Sequence, residues 1–241
     1  MTRLTGKQAL VTGVTSGIGL ATVRALLARE MRVIGLGRDR ERLARVTAEL
    51  GPQFRPIVAD LAEPEARQRA LAELGSEPLQ LLVNNAGECT FESLEQLPPA
   101  KLSRLFEINV TAVLDFVQAT LPLLPSGSQI VNVSSVVARH LPSSKFAGYA
   151  ATKCALDCLS EALRLELAPR GISVSTIVPG LVDTPIYDKV EGFERTRSKL
   201  REQVPTWLAA EDVAEAIVWI ASRPAHVVVS DLTILASTQA R

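Results

Sequence analysis

Ala9-Leu10-Val11-Thr12-Gly13-Val14-Thr15-Ser16-Gly17-Ile18-Gly19 carries an apolar run with β-branched valine straight into three glycines. An amphipathic pattern follows. From Ile18 the apolar positions fall at Ala21, Ala25 and Leu26, with Arg24, Arg29 and Glu30 on the opposite side, which is helical spacing. Strand, glycine turn and helix form the unit in which backbone N–H groups at a helix N-terminus receive an anion such as a pyrophosphate. Glycine matters because a Cβ would hold the backbone away from the ligand. The spacing Gly13-x-x-x-Gly17-x-Gly19 differs from the commoner G-x-G-x-x-G. On this loop alone, an anion cradle and an ordinary glycine turn closing a βα unit are equally consistent readings.

The rest of the chain repeats the unit. Arg32 to Gly37 reads as a second strand and Arg38 to about Leu50 as a helix, stopped by Gly51-Pro52. Strands are predicted at Phe54–Ala59, Leu79–Val83, Ile130–Val133 and Ile172–Val178, and a last, interrupted one over Val227–Val229 and Leu232–Leu235. Helices are predicted at Glu63–Leu74, Lys101–Leu121, Tyr149–Ala168 and Glu211–Ala221. Such alternation predicts one α/β domain over residues 1–241, a doubly wound (Rossmann) parallel sheet of about seven strands with helices on both faces. The polar segment 184–207, with few apolar anchors, lies beyond the sixth strand and reads equally as a substrate lid or a solvated connection.

Composition narrows the function. Lys plus Arg and Asp plus Glu each total 26, so a net charge of zero argues against nucleic acid or an anionic membrane surface as partner. Cys89, Cys154 and Cys158 are sparse and lack a metal-ligand cadence, which predicts no metal site and a reducing cytoplasm. Met1 to Gln8 has no apolar signal core, and no run is long enough to span a membrane.

The chemistry gathers on the helix starting at Tyr149. Tyr149 and Lys153 lie one turn apart on one face. A phenol of pKa about 10 is a poor acid/base at neutral pH, and a nearby ammonium lowers that value. Tyr149 could then exchange a proton with a substrate oxygen during hydride transfer. Ser134-Ser135 ends the fifth strand, where a hydroxyl faces the same crevice. Asn109 sits in the apolar stripe Leu102, Leu105, Phe106, Val113, Phe116, Val117, and a buried amide there needs partners.

Thr12–Gly19, Asn84-Asn85-Ala86-Gly87, Asn109, Ser135, Tyr149 with Lys153, and Pro179-Gly180 together resemble, in order and approximate spacing, the classical short-chain dehydrogenase/reductases. The likeness covers essentially the whole chain. It implies Tyr149 as general acid/base and Lys153 as its pKa-lowering partner and a ligand of the nicotinamide ribose. It further implies Ser135 on the substrate oxygen and Asn109 in a proton relay. Cofactor contacts implied by the resemblance are Gly13, Thr15, Ser16, Gly17, Ile18 and Gly19 in the loop, then Asp60 and Leu61 at the adenine. Asn84, Asn85, Ala86, Gly87, Pro179, Gly180, Val182 and Thr184 complete the crevice. The Ser135–Tyr149 interval is one residue longer than usual, so Val136–Gly148 should bulge and Ser134 stays an alternative to Ser135. Homodimers or homotetramers are implied, as is a small-molecule carbonyl or alcohol substrate.

Cofactor choice turns on the end of the second strand. Gly37 stands where an NAD-selective aspartate would be, followed by Arg38, which favours the 2′-phosphate of NADP(H). Asp39 is the argument for NAD(H), and Ser16 replaces the basic residue many NADP-using members carry. Pro224 to Gln239 weakly resembles NADP-dependent 3-hydroxy acid (serine-type) dehydrogenases, which suggests a small polar substrate. A catalytically quiet dinucleotide sensor needs only the glycine loop. An epimerase or dehydratase on this scaffold needs a substrate retained through a redox cycle. The four catalytic residue types together favour the oxidoreductase.

Overall fold

A computed structural model describes residues 4–188, 190 and 192–239. The first three residues of the N-terminal reading, positions 189 and 191 of the 184–207 segment and the last two residues lie outside the described residues.

β1 (Gln8–Thr12) is buried along its whole length, which is why it reads as an uninterrupted apolar run. It pairs in parallel with β2 (Arg32–Gly37) on one side and β4 (Leu81–Asn84) on the other. With β3 (Phe54–Val58), β5 (Gln129–Val133), β6 (Ser173–Pro179) and β7 (Asp231–Ile234) it forms a seven-stranded parallel sheet, ordered β3-β2-β1-β4-β5-β6-β7. The winding reverses between β1 and β4, and a crevice opens at the carboxyl ends of such strands.

Strand alternation sends side chains into two cores. Ala9, Val11, Val33 and Val83 face α1 (Gly17–Leu27), α2 (Arg40–Leu50) and α8 (Ala210–Ala221). Leu10, Ile34, Leu36 and Leu82 face α3 (Pro64–Ala72), α5 (Ala112–Thr120) and α6 (Ala147–Leu167). Helices on both faces of a parallel sheet are the predicted architecture.

Three elements depart from the sequence reading. The helix expected over Lys101–Leu121 is α4 (Pro99–Phe106) and α5 joined by a π-helical turn, Glu107–Thr111. The last strand excludes Val227–Val229, because the Val227 N–H turns back to the Pro224 carbonyl at 2.8 Å. The 184–207 segment is not short of apolar anchors. It contains a 3-10 turn, Pro185–Tyr187, and α7 (Glu194–Gln203), and Val190, Phe193, Val204 and Trp207 are all buried. These anchors escape periodicity because they sit at the ends of the helical pieces rather than along one face. Among the described residues, no helix is long and apolar enough to cross a membrane.

Candidate active site

The glycine loop is stapled to the end of β4. Thr12 Oγ1 accepts the backbone N–H groups of Asn85 and Ala86, each at 3.0 Å. Asn85 Nδ2 returns bonds to the carbonyls of Thr12 (2.9 Å) and Gly13 (3.2 Å). Asn85 therefore shapes the loop with its amide. The staple leaves no room at Gly19, where a Cβ would lie 2.2 Å from the Gly13 carbonyl oxygen and 2.5 Å from Asn85 Nδ2. Gly19→Ala is expected to lower stability by about 1–3 kcal/mol, read as a shifted denaturant midpoint. An unchanged midpoint would contradict this packing. α1 has no acidic residue in its first turn, whereas α2 has Glu41 and α8 has Glu211 and Asp212. The positive end of the α1 dipole is thus left for a ligand.

Beside the loop runs a crevice of about 490 Å³. Gly13, Thr15, Ser16, Gly17, Ile18, Arg38, Asp60, Leu61, Asn85, Ala86, Gly87 and Thr184 line it, and Gly19 lies behind the loop as its support. Tyr149 and Lys153, also expected at the cofactor, are not among the lining residues, and four further expected positions fall elsewhere. Asn84 turns into the interior and donates to Asn132 Oδ1 at 2.8 Å. Pro179 and Gly180 are covered by the C-terminal segment: the Gly180 N–H bonds to the Ile234 carbonyl, and a Cβ on Gly180 would strike the Gln239 side chain. Val182 is buried in a bridge to Leu208.

At the β2 end, Asp39 caps α2, its carboxylate accepting the Arg42 N–H at 3.0 Å. Asp39 also lines the crevice beside Arg38. Arg38 pairs with Glu88, which follows Gly87 and also holds Arg104 of α4 at 3.1 Å. Arg104 in turn bonds Asp60 at 3.0 Å. Burial works to raise the Glu88 pKa, but the Arg104 and Arg38 guanidiniums outweigh it and hold the carboxyl below its usual range. Burial is likewise outweighed at Asp60, by the Ala62 N–H and by Arg104. Sequence alone does not mark Glu88 and Arg104 as crevice residues. The signal for Glu88 was a charge directly behind the Asn84–Gly87 motif, in a turn walled by the sheet.

The π-turn places the buried Asn109 behind the Glu88 backbone. Its Nδ2 donates to the Glu88 carbonyl (3.0 Å) and to Thr152 Oγ1 (2.9 Å), and its Oδ1 accepts the Glu88 N–H (3.0 Å). Thr152 in turn donates to the Tyr149 carbonyl at 2.7 Å, a link from Asn109 into α6 that sequence did not reveal. A Cβ on Gly87 would sit 3.0 Å from Asn109 Oδ1 and 3.8 Å from Lys153 Nζ, so this crevice glycine abuts both side chains.

The side chains of Ser135 and Lys153 both lie against Tyr149. The Ser135 hydroxyl faces the Tyr149 phenol, while Ser134 is buried toward Asp157. Two short 3-10 turns, Val136–Ala138 and Ser144–Phe146, take up the longer interval between Ser135 and Tyr149. Lys153 Nζ donates to the Val133 carbonyl at 2.8 Å and stands 5.8 Å from the Tyr149 ring centroid. The electrostatics differ from the expectation that the ammonium would hold the phenol's pKa down. Burial pushes Tyr149 well above the usual phenol value, Cys89 and Tyr187 add to it, and Ser135 opposes them without winning. Burial also lowers Lys153 to about 8. The Cys89 thiol beside them is pushed up to about 12, again by burial.

The chain is similar to known proteins over most of its length. The short chain dehydrogenase family matches residues 7–194. Serine 3-dehydrogenase of Rhizobium radiobacter is 34% identical over 234 residues, covering 95% of this chain and 94% of the relative. The closed form of serine dehydrogenase complexed with NADP+ superposes with a TM-score of 0.87 at 29% identity, over 97% of this chain and 96% of that one. A short chain dehydrogenase from Burkholderia cenocepacia in complex with NADP gives 0.87 at 31% identity, over 97% and 98%. With the glycine loop, the reversed sheet order and the Tyr149–Lys153 pair in place, these matches make the chain a member of the short-chain dehydrogenase/reductase family, an oxidoreductase.

Proposed function

We propose that this chain moves a hydride between NADP(H) and a carbonyl or secondary alcohol, with Tyr149 as the proton donor and acceptor. The observation that carries the reading is the buried Tyr149 phenol, faced by Ser135 and backed by Lys153 beside a crevice that suits a dinucleotide. The fit of the cofactor rests on the loop residues Gly13, Ser16 and Gly17 that line the crevice, and on the α1 terminus without acidic residues in its first turn. When bound, a reduced nicotinamide supplies the hydride to the carbonyl carbon. The carbon–oxygen π pair then takes the Tyr149 proton, and Ser135 holds the oxygen in place for it. Lys153 stays anchored to the Val133 carbonyl, so its charge faces the phenolate left behind. Asn109, tied to both the Glu88 backbone and Thr152, fixes the wall along which a proton returns.

NADP over NAD follows from Arg38, whose guanidinium lies on the crevice wall at the β2 end, and agrees with the NADP named for the solved relatives. Glu88 and the phosphate would compete for it. Arg38→Gln should weaken NADPH binding about 10- to 100-fold in a fluorescence titration, the worth of a charge-assisted bond, and leave NADH within about threefold. Equal losses for both cofactors would overturn the assignment of Arg38.

Turnover itself is tested by NADPH absorbance with a panel of carbonyls, and with NADH in parallel. No oxidation with any carbonyl, and no reverse reaction with alcohols, would favour the quiet sensor.

A further inference from the structure

Arg38 directly follows β2 and Glu88 lies four residues beyond the end of β4, while β1 runs between those two strands in the sheet. Their ion pair therefore reaches over the carboxyl end of β1, where the glycine loop leaves the sheet. Two strand spacings, about 9–10 Å, separate the strands it joins. Both residues line the crevice, so the pair spans it from one side to the other. The neighbouring cations on the crevice have carboxylates of their own: Arg42 pairs with Asp39 at 3.3 Å, and Lys101 with Glu92.

Arg104 sets this pair apart from an ordinary surface bridge. Its Nε and Nη2 donate to both oxygens of Glu88, at 3.1 and 3.2 Å, and Nη2 also donates to Asp60 at 3.0 Å. A two-pronged guanidinium fixes the direction of a carboxylate as well as offsetting its charge. Two cations, Arg38 and Arg104, thus balance two carboxylates, Glu88 and Asp60. A phosphate that takes Arg38 leaves both carboxylates to Arg104 alone. Whether that phosphate displaces Glu88 or shares the guanidinium with it, the Glu88 charge opposes its binding. Glu88 keeps that charge at neutral pH, because the two guanidiniums hold its carboxyl low. A ribose without the phosphate makes no claim on the Arg38 charge and leaves the balance as it stands.

Resting on the assignment of Arg38 to the 2′-phosphate, we infer that Arg104 is a positioning residue for cofactor choice. It holds Glu88 in place and neutralised when Arg38 turns to the phosphate. Glu88, the internal competitor, narrows the margin of NADP(H) over NAD(H), and Arg104 restores it.

Calorimetric titrations with adenosine 2′,5′-bisphosphate and adenosine 5′-monophosphate read the phosphate preference without turnover and without a nicotinamide. Glu88→Gln should tighten the bisphosphate about three- to fivefold and leave the monophosphate within about twofold, the worth of a partly exposed charge pair. Arg104→Gln should weaken the bisphosphate by a similar factor, about three- to fivefold, again with little change in the monophosphate. Adding Glu88→Gln to Arg104→Gln should recover at least wild-type affinity, a rescue that a mere loss of packing at α4 does not allow. Arg104→Lys keeps the charge without the fork and should fall between wild type and Arg104→Gln. Titrations with NADPH and NADH should rank the proteins in the same order. Bisphosphate binding that Glu88→Gln leaves unchanged or weakens would overturn the inference. So would a loss in Arg104→Gln that persists in the double variant, or equal shifts for the two nucleotides. Arg38→Gln serves as the control: equal losses of both nucleotides there would overturn the Arg38 assignment beneath the inference. A selective bisphosphate loss in Arg38→Gln, with no shift in the Glu88 and Arg104 variants, would overturn the inference alone.

Discussion

Tyr149→Phe is expected to cut kcat on the order of 10³-fold while NADPH affinity stays within about threefold, the usual worth of a positioned proton donor. The substitution removes one oxygen and keeps the ring that packs among Val137, Phe146, Ala150 and Phe193. Lys153 keeps its bond to the Val133 carbonyl, so the crevice wall is not rebuilt. Folding stability should change by only about 1 kcal/mol, the net worth of a hydroxyl's hydrogen bond. Single-turnover kinetics with NADPH in excess, a calorimetric titration and a thermal melt measure the three quantities. A variant that retains a tenth or more of the turnover would remove Tyr149 from the chemistry. Equal losses in turnover and cofactor affinity would make it a packing residue of the crevice. Because burial holds the phenol protonated through neutral pH, wild-type carbonyl reduction should show no rise on acidification that could be ascribed to Tyr149.

The parts of this arrangement legible in the sequence are those set by local rules. β1, Gly13, Gly17 and Gly19 are read directly, because a buried parallel strand must be continuously apolar and a close backbone approach must lack a Cβ. Tyr149 and Lys153 are legible because helix geometry alone puts them on one face. What sequence could not show depends on residues far apart in the chain. Glu88 and Arg104 become crevice residues only when the β4 turn and α4 fold toward the β2 end. That the Asp39 carboxylate caps α2 while also lining the crevice is visible only in the fold. The π-turn at Asn109 leaves the helical stripe intact in the sequence while changing the direction of the amide. Pro179, Gly180 and Val182 follow the sheet as expected, and the C-terminal segment then closes over them. The 184–207 segment looks polar because its buried anchors, Phe193 and Trp207, flank a helix whose own surface is charged. An ammonium one turn away predicts a lowered phenol pKa, whereas both groups are buried and desolvation is the stronger effect.

Lys153→Met should separate function from stability more sharply than any other single change. Turnover is expected to fall on the order of 10²-fold, since the phenolate left after proton transfer loses its counter-charge. Stability should move the other way. The folded protein holds Lys153 at about 8, against 10.5 for the free side chain. Between those values the unfolded chain binds more protons than the folded one, so this site makes stability rise with pH across that window. Below pH 8 both states are charged and the full burial cost is present, on the order of 3 kcal/mol. Above pH 10.5 both are neutral and the cost is gone. Methionine has no charge to desolvate, but it leaves the Val133 carbonyl without its partner, a loss of about 1 kcal/mol. The variant should therefore unfold at an equal or higher denaturant concentration than wild type at pH 7, with that advantage disappearing by pH 10. Paired denaturation curves at the two pH values, alongside kcat, provide the measurement. A variant less stable at pH 7 than at pH 10, relative to wild type, would mean that the ammonium supports the fold and that the charge is not being held in place for the reaction. An active, stabilised variant would mean that Tyr149 works without it.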